Sequence, residues 1–157
     1  MSPEQELGRM LKERHLTIAV AESLTGGLVG DMITDVPGSS DYFLGGVTTY
    51  SNLSKSELLH VTEGTLRSSG AVSEECAREM ASGVRTLFHA DIGLAVTGIA
   101  GPGGATATKP VGLVAFAFDD GIRRFTTMMT FTGDRVQIKK MSAEHLLAMA
   151  VSALKEK

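Results

Sequence analysis

Thr17-Ile18-Ala19-Val20-Ala21-Glu22-Ser23-Leu24-Thr25-Gly26-Gly27-Leu28-Val29 is the stretch on which the fold turns. Residues 17–21 form a short apolar run with β-branched members, the pattern of a strand buried on both faces. The run breaks at Glu22, and two glycines follow. From Leu28 onward, apolar residues return at helical spacing through Val29, Met32 and Ile33. A strand that passes through a polar, glycine-containing turn into a helix is one unit of an α/β protein. Ser23 stands at the junction. A hydroxyl there sits at the rim of a sheet, beside N–H groups that the first turn of a helix leaves unpaired. Such a place can hold an attacking oxygen near donors for negative charge, although capping the helix is the commoner role of a serine at this position.

Working outward, Ser2, Pro3 and Gln5 predict a helix start, with Ser2 as cap and Gln5 at the capping-box position. Leu7, Met10 and Leu11 give that helix an apolar stripe. The helix after Gly26-Gly27 is expected to stop near Val36-Pro37-Gly38. Residues 45–50 read as a second strand. A short helix at about 55–61 follows, with Ser54 and Glu57 in capping-box register. Ser73 is expected to cap a helix carrying Cys76, Met80, Val84 and Leu87. Three more strands read at 92–96, 111–118 and about 122–131, the last two joined as a hairpin at Asp119-Asp120-Gly121. The 111–118 run is apolar enough to be expected at the centre of the sheet. Asp134 and Gln137 then open a last helix carrying Ile138, Met141, Leu146, Met149, Ala150 and Leu154. The alternation predicts a three-layer α/β/α sandwich with a five-stranded mixed sheet. No repeat or linker interrupts it, so residues 1–157 read as a single domain.

Composition narrows the function classes. Apolar residues make up 43% of the chain, which argues against disorder. The formal charge of −3 argues against a nucleic-acid-binding surface. The single cysteine, Cys76, excludes an internal disulfide. His15, His60, His89 and His145 are scattered without metal-ligand spacing, so no metal site is expected. No apolar run reaches membrane-spanning length and no secretory signal opens the chain, so a cytoplasmic protein that binds neither membrane nor nucleic acid is expected.

Three loops rich in Gly, Ser and Thr leave strand ends, at 22–27, 50–55 and 97–104. If their strands are parallel, the loops share one rim, where open α/β sheets bind ligands. Lys55 is the candidate base for Ser23. A free lysine is neutral in only about 0.04% of molecules at pH 7, so this role requires a lowered pKa. Reaching about 7–8 takes roughly 3–5 kcal/mol of bias against the charged form, which burial can supply, with a small addition from a helix's first turn. Tyr50, close in sequence, is a candidate to orient the amine or relay a proton. The 97–104 loop has backbone N–H groups for an anion but is neither a P-loop nor G-x-G-x-x-G. Arg135 stands at a helix start, where the dipole does not favour a cation, which hints at a phosphate or carboxylate contact.

Taken together, AESLTGG at 21–27, GSSDYFLGGVTTYSNLSK at 38–55, GAVS at 70–73, TGIAGPGG at 97–104, KPVG at 109–112 and TGDR at 132–135 resemble the C-terminal domain of competence/damage-inducible CinA proteins. That domain also occurs alone, as the nicotinamide-nucleotide amidohydrolase PncC. The resemblance runs from about Leu11 to Val151. It implies an α/β/α fold with a five-stranded mixed sheet. It also implies hydrolysis of the carboxamide of nicotinamide mononucleotide to nicotinic acid mononucleotide and ammonia, a step of the pyridine nucleotide cycle, with no metal or other cofactor. Carried onto the matching positions, it puts the nucleophile at Ser23 and the base at Lys55, with Tyr50 beside them. Thr97, Gly98 and Arg135 fall on pocket positions, and Asn52, within the matched 38–55 segment, is expected to bind substrate. The amides of Thr25, Gly26 and Gly27 are the expected oxyanion donors. The sequence departs from the family pattern at Thr48, at His60 where glycine is frequent, and at Thr108 where an acid is common. The family leaves room for a homo-oligomer. The alternative is a non-catalytic nucleotide-binding or interaction module. On the amidase reading, Ser23→Ala and Lys55→Ala are each expected to abolish turnover with little change in melting.

Overall fold

The alternation of side chains along the strands decides which helices cover which face of the sheet. In the computed structural model, which describes residues 1–156, one face carries the large residues Ile18, Val20, Ile92, Leu94, Val96, Val114, Phe116 and Phe118. The other carries Ala19, Ala21, Ala95, Ala115 and Ala117. The strands are β1 (Ile18–Glu22), β2 (Phe43–Thr48), β3 (Ile92–Gly98), β4 (Leu113–Asp119) and β5 (Arg124–Thr130). Their order is β2-β1-β3-β4-β5, with β2, β1 and β3 parallel and β4 and β5 antiparallel additions. The sheet is therefore mixed and five-stranded. The apolar 111–118 run lies inside it, although β3 holds the middle.

Helices α1 (Pro3–Arg14), α2 (Leu28–Thr34) and α6 (Arg135–Lys155) pack on the large-residue face. Helices α3 (Asn52–Leu59), α4 (Glu63–Ser68) and α5 (Glu74–Phe88) cover the alanine face. Small side chains there let α5 approach closely. A β-carbon on Gly93 of β3 would stand 2.1 Å from the Ala81 carbonyl of α5, and one on Gly83 of α5 would stand 2.1 Å from the Leu59 carbonyl of α3. The glycines thus set how near α5, and through it α3, sits to the strands. No helix among the described residues is long and apolar enough to cross a membrane.

The caps at Ser2, Ser73 and Asp134 form as the sequence predicts, with full capping boxes at Ser2 and Asp134. Three readings need correction. Strand β2 begins two residues earlier than residues 45–50 and ends before Thr49, because the chain there turns out of the ladder. Helix α3 is capped by Ser51, whose hydroxyl accepts from the Ser54 amide, so it starts at Asn52 rather than near Lys55. Helix α4, capped by Thr62, was not expected; its signal is Thr62 accepting from the Thr65 amide, with Glu63 in the first turn.

His15, His60 and His89 each end a helix in the left-handed conformation, with φ of 56°, 58° and 53°. An L-residue there costs about 1–2 kcal/mol in backbone sterics, which glycine avoids at some cost in chain entropy. This is the physical reason that glycine suits position 60. His60→Gly is expected to raise stability by about 0.5–1 kcal/mol. Gly83→Ala is expected to lower it by about 1–3 kcal/mol through overpacking against α3. Thermal and urea melts read both, and a stable Gly83→Ala protein would contradict the close α3–α5 seam.

Candidate active site

Parallel pairing brings the ends of three strands level. Glu22 is in register with both Thr48 and Val96, so the chain leaves β1, β2 and β3 on one rim. The next residues stay pinned: the Ser23 amide donates to the Val96 carbonyl at 3.0 Å, and the Thr49 amide donates to the Glu22 carbonyl at 2.8 Å. Ser23 and Thr49 are thereby held side by side by main-chain bonds.

Lys55 reaches this rim from the second turn of α3. Its Nζ lies 3.0 Å from Ser23 Oγ and 2.6 Å from the Thr49 carbonyl oxygen. The residue is 1% exposed, and no carboxylate pairs with it among the described residues. Burial pushes its pKa below the usual lysine value, and Cys76 nearby offsets only part of this. The Cys76 thiol is itself buried and pushed up to about 11, so at neutral pH it supplies no thiolate to hold an ammonium. The two partners serve either protonation state. Nζ donates to the Thr49 carbonyl and to Ser23 Oγ; in its neutral form the amine keeps the first bond and accepts the Ser23 proton through its lone pair. Either state leaves one N–H without an acceptor among the described residues, so burial, and not the count of bonds, is what disfavours the charge. Burial accounts for the shift. The helix dipole contributes less than the sequence reading allows, because Lys55 lies one turn inside α3.

The turn after Ser23 is built by Glu22. Its buried carboxylate accepts from the amides of Gly27, Val29 and Gly30, at 3.2, 2.9 and 3.0 Å, and so caps α2. Gly27 has φ 109°, which only glycine adopts freely. These bonds overturn the expected oxyanion donors in part. The Gly27 amide is spent on Glu22, and the Gly26 amide donates to the Ser23 carbonyl at 3.2 Å. The Thr25 amide stays without a protein acceptor among the described residues, and so does that of Leu24, which sequence reasoning missed. The Thr25 side chain is buried away from solvent, its hydroxyl unpartnered.

In front of Ser23 lies a cavity of about 260 Å³, lined by Leu24, Tyr50, the Gly98–Gly104 loop and Arg135. Arg135 Nη1 donates to the Gly101 carbonyl at 2.6 Å and Nη2 donates to the Tyr50 hydroxyl at 2.9 Å. Tyr50 therefore does not orient the amine or relay its proton. It is 61% exposed and forms a wall with Arg135; the Thr49 carbonyl orients the amine instead. Gly98 lines the cavity, whereas Thr97 is buried behind it and donates to the Ala71 carbonyl at 3.0 Å. Asn52 is exposed at the start of α3 and is not among the residues lining the cavity. A larger cleft, about 370 Å³ beside Ser73 and Lys109, is separate from the Ser23–Lys55 pair. Among the described residues, no group of three His, Cys, Asp or Glu side chains is placed to hold a metal ion.

Because Lys55 is buried, Lys55→Ala would do more than remove a base. It would empty the space of a four-carbon stem, at a cost of about 2–5 kcal/mol by analogy with other large-to-small core changes. Lys55→Met keeps the volume. With a lowered folded pKa, the unfolded chain binds the extra proton between that value and 10.5, so the parent protein gains stability as pH rises through this window. The Tm of the parent minus that of Lys55→Met is expected to increase with pH over that range. A difference that stays flat up to pH 10 would mean that the amine is charged in the folded protein.

Residues 1–154 match the family described as the CinA C-terminal domain. A CinA-like protein of Thermotoga neapolitana is 47% identical over 154 residues, covering 98% of this chain and 38% of that protein. Among solved structures, the competence damage-inducible protein A (ComA) of Klebsiella pneumoniae superposes with a TM-score of 0.95 at 34% identity, covering 98% of this chain and 95% of that one. The competence/damage inducible protein CihA of Agrobacterium tumefaciens gives a TM-score of 0.91 at 36% identity, covering 98% and 95%. The chain spans about a third of the length of curated relatives such as the Thermotoga protein. A match over nearly every residue, with the same arrangement of strands and helices, places this chain in the CinA C-terminal domain family.

Proposed function

We propose that the chain hydrolyses the carboxamide of nicotinamide mononucleotide to nicotinic acid mononucleotide and ammonia, with Ser23 as nucleophile and Lys55 as general base. The observation that carries this reading is the 3.0 Å approach of a buried, carboxylate-free lysine amine to the hydroxyl of Ser23 at a cavity wall. A non-catalytic nucleotide-binding module has no need of an amine buried against a serine hydroxyl with its pKa pushed down. The choice of amide rests on the resemblance of the motifs and on Arg135 at the cavity edge.

In the proposed cycle, the Lys55 lone pair takes the Ser23 proton as Oγ bonds to the carboxamide carbon, and the carbonyl electron pair moves onto oxygen. The free amides of Leu24 and Thr25 are the donors nearest in sequence to the nucleophile and receive that oxyanion. Collapse breaks the C–N bond, and the Lys55 ammonium hands its proton to the departing nitrogen, releasing ammonia. Water then attacks the acyl-serine with Lys55 again as base, and Oγ leaves with the returned proton. The Thr49 carbonyl holds the nitrogen in place throughout. Base catalysis of this kind contributes about 10²–10⁴-fold. The remainder comes from positioning and from the oxyanion donors.

Ammonia release from nicotinamide mononucleotide, followed by product identification, tests the reading. Turnover is expected in the parent, with a loss of at least about 10²–10⁴-fold in both Ser23→Ala and Lys55→Met. A tight complex without turnover would favour the binding-module alternative. Because only the neutral amine accepts the proton, kcat/KM is expected to fall as pH drops through the lowered Lys55 pKa. Its midpoint should lie below 10.5. A pH profile without that limb would remove Lys55 from the role of base.

A further inference from the structure

Helix α6 brings Arg135 to the cavity and a second cation, Lys139, to the turn that follows Ser23. Lys139 lies four residues on, one turn along the same face, where side chains are neighbours about 5–6 Å apart at Cβ. Lys139 is half-buried, and its ammonium stands over the turn that follows Ser23. A β-carbon on Gly26 would lie 4.0 Å from Lys139 Nζ, with no other heavy atom outside the adjacent residues that close. Among the described residues it makes no ion pair and no hydrogen bond. Arg135 spends one N–H on Gly101 and one on Tyr50, leaving three of its five donors. The first turn of α6 carries no acidic residue that could satisfy either cation locally.

Two cations one turn apart, both beside the Ser23 loop and with donors to spare, call for an anion with several oxygens. We propose that Lys139 and Arg135 together clamp the phosphate monoester of the substrate, and that Lys139 makes the site choose a nucleotide over the corresponding nucleoside. Arg135, braced by Gly101 and Tyr50, supplies a fixed donor plane. Lys139 supplies a mobile point charge that closes over the dianion from the Gly26 side. The inference rests on the amidase reading for its kinetic test, but the binding it describes is independent of chemistry.

The test compares nicotinamide mononucleotide with nicotinamide riboside, which carries the same carboxamide and no phosphate, in the parent, Lys139→Met and Lys139→Arg proteins. The parent is expected to favour the nucleotide strongly in kcat/KM. In Lys139→Met that preference should fall about 10- to 100-fold, through KM rather than kcat, as expected for loss of a charge-assisted hydrogen bond. Lys139→Arg should restore most of it. An unchanged preference in Lys139→Met, or an equal loss with both substrates, overturns the clamp. If the parent releases no ammonia from either compound, the amidase reading fails, and calorimetric titration with the nucleotide decides the clamp alone. Weaker binding by Lys139→Met then supports it, and equal binding overturns it.

Discussion

A primary amine sealed from water between a hydroxyl and a peptide carbonyl is the constraint to which the rest of the structure answers. Lys55 Nζ gains two hydrogen bonds and loses its hydration. A salt bridge would offset that loss; among the described residues none is present, and burial lowers the pKa of the amine. Keeping the amine there depends on a neighbourhood that neither yields nor wets. Cys76, which acts on the amine directly, belongs to the cluster of Leu59, Val61, Ala77 and Met80 on the alanine face of the sheet.

That neighbourhood is reached by a chain of close approaches. Alanines on β1, β3 and β4 thin one face of the sheet, and Gly93 lets α5 settle onto it. Gly83 then lets α3 settle onto α5 at Leu59, four residues beyond Lys55 on the same helix. On the opposite face, Phe116, Phe118 and the residues of α6 fill the larger volume, and the start of α6 comes to the rim with Arg135. The two faces do different work: one places the base, the other places the cationic edge of the cavity.

Much of this is legible in the chain because the signals are local. The strand–turn–helix unit at 17–33, the capping boxes at Ser2 and Asp134, and the hairpin at Asp119-Asp120-Gly121 each lie within a few residues, and each forms. The Ser23–Lys55 pairing is legible from the motif resemblance and from the rule that parallel strands bring their loops together. What escaped depends on competition between nearby groups. Ser51 and Ser54 both suit a cap, and only the path of the chain out of β2 selects Ser51. Gly26 and Gly27 look like free donors until Glu22 turns its carboxylate into the helix start and takes the Gly27 amide. Tyr50 is five residues from Lys55 yet faces Arg135, eighty-five residues away in sequence. Lys139, next to Lys140, carries no sequence signal of its own, because helical phase alone does not say which loop its face meets.

The partner that fixes the amine is the main-chain oxygen of residue 49, and this has an evolutionary corollary. No side-chain replacement at that position deletes a peptide group. The anchor of the amine is therefore written into backbone path, while its lowered proton affinity follows from burial. The cavity wall is written in replaceable parts: Tyr50, the loop through Gly101, and Arg135. Replacements in that wall can alter recognition and still leave the carbonyl that holds the amine in place.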